Sequence, residues 1–102
     1  TLPPFLPDNA DARGEWAAYL EAVARLDHGV GLVLAELDRA GVMNDTLVVF
    51  LSDNGPPFPG AKTTLYDAGV HLPLLVRRPG GNPTPTCSGM VSWTDFAPTV
   101  LD

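Results

Sequence analysis

The sequence predicts part of an α/β layered fold, with one long helix and about three strands. Three observations carry this. Apolar residues recur at helical spacing from about Ala10 to Ala40. An unbroken apolar run, Leu47-Val48-Val49-Phe50-Leu51, then leads straight into Ser52-Asp53-Asn54-Gly55. Two shorter apolar runs follow, around Leu72–Val76 and Met90–Trp93, separated by segments rich in proline and glycine.

The elements follow in order. Leu2 to Pro7 carries Pro3, Pro4 and Pro7 and is predicted to be extended and irregular. Asp8 or Asn9 can cap the helix behind it, and Asp11 and Glu15 suit its first turn. In the helix, Trp16, Leu20, Val23, Val30, Leu34 and Leu37 form one apolar stripe. A helix of about thirty residues is about 45 Å long. Gly41 is a natural residue for its end. Gly29 and Gly31 weaken the interior, which close packing or a kink would explain.

Asp27 interrupts the stripe where the step from Val23 predicts an apolar side chain. A buried carboxylate there needs a partner. It would be a ligand, a general base or a helix-to-loop anchor, and the anchor is favoured. His28 beside it is predicted to face solvent.

Asn44 and Asp45 turn the chain into a strand over Thr46–Ser52. A continuous apolar run without polar alternation suits a strand buried on both faces of a parallel sheet. Gly55-Pro56-Pro57-Phe58-Pro59-Gly60 is predicted to be a stiff loop over the strand's end. Lys62–Tyr66 suits a short helical turn, and Asp67-Ala68-Gly69 another turn. A second strand over His71–Arg78 is entered through Pro73, and the loop Pro79–Ser88 leads to a third strand over Met90–Trp93. Thr94 or Asp95 caps a last helix that is just starting. The first two strands lack the long crossover that parallel neighbours need, which leaves their relation open.

The totals narrow the class. A chain of 102 residues allows one domain, and 45% apolar residues allow a modest core. The net charge of −6 argues against nucleic-acid binding, which needs a basic face. The single cysteine, Cys87, excludes an internal disulfide framework and a cysteine zinc site. No membrane-spanning run is present, and no membrane partner is expected. Both ends read as cuts, so the chain is expected to be one fragment, residues 1–102, of a longer protein.

Chemistry concentrates after the first strand. Open α/β sheets hold ligands beyond the carboxyl ends of their strands. Asp53 and Asn54 place two hard oxygen donors there, which suit Ca²⁺ or Mg²⁺ better than Zn²⁺. Asp-Asn-Gly is also an ordinary turn sequence. Two ligands fall short of the six to eight, roughly, that calcium takes. Lys62 follows the stiff loop and can bring a cation back beside the metal. A divalent metal with an ammonium makes a receptor for a sulfate or phosphate oxyanion. Arg77 and Arg78 read as surface charges, and Trp16 and Trp93 as core. Cys87 has no nearby basic activator and is not expected to be a nucleophile.

Asn44-Asp45-Thr46-Leu47-Val48-Val49-Phe50-Leu51-Ser52-Asp53-Asn54-Gly55 resembles the late metal-binding segment of the sulfatase family, whose fold is alkaline-phosphatase-like. Tyr19, Leu26-Asp27, Gly31, Leu34 and Leu37 resemble the long helix before that segment. Pro73-Leu74-Leu75-Val76 and Asp95-Phe96-Ala97-Pro98-Thr99-Val100-Leu101-Asp102 match the family pattern after it. Pro4-Phe5-Leu6-Pro7-Asp8 and the stretch Asp53 to Tyr66 look most like the sulfamidase branch.

The resemblance implies that Asp53 and Asn54 are late Ca²⁺ ligands and that Lys62 holds the sulfate. It also implies a parent enzyme that hydrolyses sulfate esters or sulfamates of sugars through a formylglycine, in a periplasmic, secreted or lysosomal setting. The chain departs from the family's complete site. Cys87 is followed by Ser88-Gly89-Met90-Val91, so it is not in a Cys/Ser-x-Pro/Ala-x-Arg motif, and the early aspartate pair is missing. The fragment alone is therefore expected to be inactive, to bind Ca²⁺ weakly or not at all, and to oligomerise through exposed edges. Two other readings are a phosphatase or phosphonate hydrolase of the same superfamily and a non-catalytic binding domain. Zinc-dependent phosphatases commonly carry Asp-His where this chain has Asp53-Asn54.

Overall fold

The computed structural model describes residues 1–81 and 86–101. Asn82 to Pro85, within the predicted Pro79–Ser88 loop, and the final Asp102 lie outside the described residues.

Helix α1 spans Ala10–Arg39, as the apolar stripe predicts. Of the two capping candidates, Asn9 serves: its side-chain oxygen accepts from Ala12 N–H at 2.8 Å. Asp8 instead pairs with Arg13 at 2.5 Å. At the other end Gly41 takes φ +72°. Gly41 N–H donates to Asp38 O at 2.9 Å and Val42 N–H to Leu37 O at 3.1 Å, which closes a Schellman motif. The stripe is only partly covered, since Trp16, Tyr19, Val30, Leu34 and Leu37 are half-buried while Leu20, Val23 and Leu26 are exposed.

Asp27 departs from expectation. It lies in the middle of α1 and is exposed, so it is neither a buried carboxylate nor a helix-to-loop anchor. The expected close packing at Gly29 and Gly31 is also absent, because a Cβ on either would meet nothing within 4 Å.

The chain turns through a 3₁₀ segment, Met43–Asp45, into β1, Val48–Leu51. Strand β2 is Leu74–Arg77. The two pair antiparallel, with Val48 opposite Arg77 and Leu51 opposite Leu74. This corrects the expectation of a parallel sheet. The connection from Ser52 to Pro73 contains one short helix, α2, Asp67–Val70, in place of the predicted turn. The strands are shorter than predicted, and β1 is half-buried rather than buried on both faces. β2 is exposed throughout, because β1 is its only strand neighbour among the described residues.

The third strand does not form among the described residues. Met90 to Ser92 carries no regular structure, and Trp93–Asp95 is a 3₁₀ turn that runs into α3, Phe96–Leu101. Ser92 is the cap of that 3₁₀ turn, and Asp95, the residue before α3, completes a capping box by accepting from Ser92 N–H at 2.7 Å. Trp93 is exposed rather than core. The described part is thus a mixed helix and strand fold with three α-helices and a two-stranded sheet.

Arg77 is exposed, as its surface reading expects. Its guanidinium donates to Met43 O at 2.6 Å and to Asn44 Oδ1 at 3.3 Å. It thereby ties the end of β2 to the turn that enters β1.

Close approach of backbone decides two glycines. A Cβ on Gly55 would lie 2.3 Å from Ala68 O, and one on Gly69 would lie 2.4 Å from Thr64 O. Gly55→Ala is therefore expected to destabilise the fold by about 1–3 kcal/mol, the usual cost of overpacking. Gly29→Ala is expected to stabilise it by about 0.5–1 kcal/mol, since the new methyl meets open space in a helix interior. Thermal melts of the two variants against wild type check both signs.

Candidate functional site

The site begins where β1 ends. Ser52 N–H still reaches Pro73 O at 3.4 Å, which prolongs the ladder by one loose bond. Antiparallel pairing thus sets the carboxyl end of β1 beside the segment that enters β2. Asp53 and Asn54 lie at that junction.

Asp53 is exposed and enters no ion pair among the described residues. Asn54 is half-buried. Its carbonyl accepts from Ser52 Oγ at 2.7 Å, and its Nδ2 donates to Gly55 O at 2.9 Å. The amide is thereby oriented by its nitrogen, and Oδ1 remains to meet a group beyond the loop. A carboxylate and an amide oxygen fit a hard cation. No cluster of three or more His, Cys, Asp or Glu able to hold a metal occurs among the described residues.

The loop behind Asn54 folds back on itself. Pro56 O accepts from Phe58 N–H at 2.7 Å and from Lys62 N–H at 3.1 Å. The return brings the Lys62 backbone within one hydrogen bond of Pro56. Its side chain is exposed and in no ion pair among the described residues. The predicted helical turn after it does not form. Thr63 instead takes φ +65°, and Thr64 Oγ1 donates back to Gly60 O or Ala61 O at 3.0 and 2.9 Å. A β-branched residue in the left-handed region costs about 1–2 kcal/mol.

A cleft of about 250 Å³ opens at the strand end, lined by Tyr19, Ser52, Asn54, Gly55, His71 and Leu72 among others. Asn54 lies in this wall, while Asp53 and Lys62 are not among its lining residues. The structure thus brings Asn54 to the cleft and the Lys62 backbone to the loop above it.

Sequence reasoning missed Tyr19 and His71. Tyr19 keeps step with Trp16 on the apolar stripe, which reads as core. His71 reaches the cleft only because β2 runs antiparallel to β1. Its Nδ1 is 3.5 Å from Asp67 Oδ1, with both side chains well exposed.

The described electrostatic perturbations lie away from this point. The Arg39 guanidinium holds the Glu36 carboxyl below the usual carboxylate range, and Glu36 raises Arg39 in turn. A depressed carboxylate stabilises the fold above its unfolded pKa and loses that effect as pH falls through the folded one. The pair is fully exposed, so solvent screens most of it. Cys87 is exposed too, its Sγ accepting from Gly89 N–H at 3.4 Å.

The family profile described as Sulfatase matches residues 4–102. The chain is 48% identical over 103 aligned residues to N-sulphoglucosamine sulphohydrolase of Homo sapiens, covering 99% of this chain and 20% of that protein. It is 34% identical to the ulvan-active sulfatase of Formosa agariphila, over 98% of this chain and 17% of that one. It is 35% identical to N-acetylglucosamine-6-sulfatase of Homo sapiens, over 93% and 17% respectively. The chain spans about a fifth of the length of the curated relatives it matches. With the family profile matching nearly its whole length, the chain belongs to the sulfatase family.

Proposed function

We propose that the chain is a segment, residues 1–102, from the later part of a sulfatase catalytic domain whose layered sheet is alkaline-phosphatase-like. Its full-length parent hydrolyses N-sulfated sugars. The observation that carries this reading is the strand end itself. Oxygen donors Asp53 and Asn54 leave β1, and the loop returns the Lys62 backbone to within one hydrogen bond of Pro56. The 48% identity to a sulphoglucosamine sulphohydrolase, against 35% to an acetylglucosamine-6-sulfatase, favours a sulfamate over a sulfate ester.

In this reading Asp53 and Asn54 hold Ca²⁺, each through a side-chain oxygen. The ion would neutralise charge on the sulfate oxygens. Lys62 donates to a sulfate oxygen and stabilises the charge that grows as the S–N bond breaks. Pro56, Pro57 and Pro59 keep the loop stiff, so that little reorganisation is needed at the moment of reaction. The nucleophile, a formylglycine, comes from elsewhere in the parent, since this chain holds no Cys/Ser-x-Pro/Ala-x-Arg motif.

Three outcomes follow. In the full-length protein, Asn54→Ala lowers kcat for N-sulfoglucosamine by about 10²–10³-fold, the scale for losing one preorganised contact at a reacting oxyanion. Normal turnover in that variant removes Asn54 from the site. Lys62→Ala is expected to weaken inhibition by inorganic sulfate and to lower kcat/KM by at least about tenfold. Unchanged sulfate inhibition contradicts its role. The isolated chain is expected to turn over no sulfamate and, in calorimetric titration, to bind Ca²⁺ with Kd of about 10⁻⁴ M or weaker. Sub-micromolar binding would show that the chain holds a complete site.

A further inference from the structure

We infer that Phe58 is a positioning residue that holds the Lys62 segment against Pro56, in the loop that leaves β1, through an aromatic clamp on α1. This rests on the oxyanion role proposed for Lys62. The Phe58 ring lies 5.5 Å from Trp16 and 5.5 Å from Tyr19, tilted against the first and edge-on to the second. Trp16 and Tyr19 are themselves stacked at 5.2 Å, one turn apart on the helix. Phe5, from the proline-rich start of the chain, adds a fourth ring 6.5 Å from Phe58. These separations are within the range of favourable aromatic pairs.

The clamp is mechanically linked to Lys62. Phe58 and Lys62 donate their backbone N–H groups to the same acceptor, Pro56 O, at 2.7 and 3.1 Å. Ala61, the residue before Lys62, is 0% exposed, and its N–H donates to Phe58 O at 3.1 Å. Prolines on both sides of Phe58 restrict the remaining freedom. Thr63, directly after Lys62, holds a left-handed φ of +65°, a conformation that persists only where the surroundings impose it. A loop fixed to the helix by one ring and closed on one carbonyl has little choice in where it delivers the next cation. Removing the ring frees the loop from α1 and lets the Lys62 segment leave its place against Pro56.

The test is a double-mutant cycle in the full-length protein, with Phe58→Ala, Lys62→Ala and the double variant. Each is assayed for N-sulfoglucosamine hydrolysis and for inhibition by inorganic sulfate. Phe58→Ala is expected to lower kcat/KM by about 10–100-fold, the scale of a small misplacement of a positioned group. It weakens sulfate inhibition as Lys62→Ala does. The double variant is no worse than Lys62→Ala alone, because both act through one contact. Phe58→Tyr keeps the ring and stays near wild type. Additive losses, or wild-type sulfate inhibition in Phe58→Ala, overturn the clamp. If Phe58→Ala does not fold, Phe58→Leu is carried through the same cycle and decides by the same criterion. An active wild type with an additive cycle rejects the clamp alone, whereas a wild type that hydrolyses no sulfamate rejects the sulfamidase reading and the clamp with it.

Discussion

The backbone junction at Gly55 is the constraint on which the rest of the site depends. Leaving β1, the chain passes so close to Ala68 O that a single methyl on Gly55 would sit at 2.3 Å. Gly69 repeats the arrangement against Ala61 O and Thr64 O. Three stretches therefore stack there with little between them: the strand exit, the return of the stiff loop, and the start of α2. Gly55 and Ala61 are the buried residues among those described, so the tightest packing coincides with the turn that holds the candidate site.

This distribution links packing to function. Helix α1 has no buried residue, β1 is half-buried and β2 is exposed, so apolar burial alone holds the sheet weakly. Around Asn54, by contrast, backbone groups satisfy one another. Pro56 O takes two donors, Ser52 Oγ caps the Asn54 carbonyl, and Thr64 Oγ1 returns to the loop. The aromatic cluster of Phe5, Trp16, Tyr19 and Phe58 is the one place where α1 reaches this junction through described side-chain packing.

Local patterns were legible and long-range ones were not. The 3.6-residue stripe and Gly41 placed the helix and its end almost to the residue, because both signals are local. The proline-dense loop after β1 was readable too, since Gly55-Pro56-Pro57-Phe58-Pro59-Gly60 excludes a regular element. The pairing direction was not. The apolar run in β1 suits a parallel strand as well as an antiparallel one, so the run alone does not set the direction of its partner. Hence His71 escaped notice, because the antiparallel ladder alone brings it to the cleft. Met90 to Trp93 failed as a strand for a related reason: so short a run carries no periodicity, and the Ser92–Asp95 capping box claims its end for a 3₁₀ turn. Asp27 failed because a carboxylate on an apolar stripe implies burial only if the stripe is covered, and here α1 leaves that position in solvent.

The most direct measurement is a crystal structure of the full-length protein grown with calcium chloride and inorganic sulfate. The account predicts a calcium peak bonded to a carboxylate oxygen of Asp53 and to Oδ1 of Asn54, at about 2.3–2.6 Å. It also predicts a sulfate against that ion with Lys62 Nζ at hydrogen-bond distance from one of its oxygens. A metal bound without Asp53 and Asn54, or a sulfate at the metal with Lys62 turned away, would contradict it.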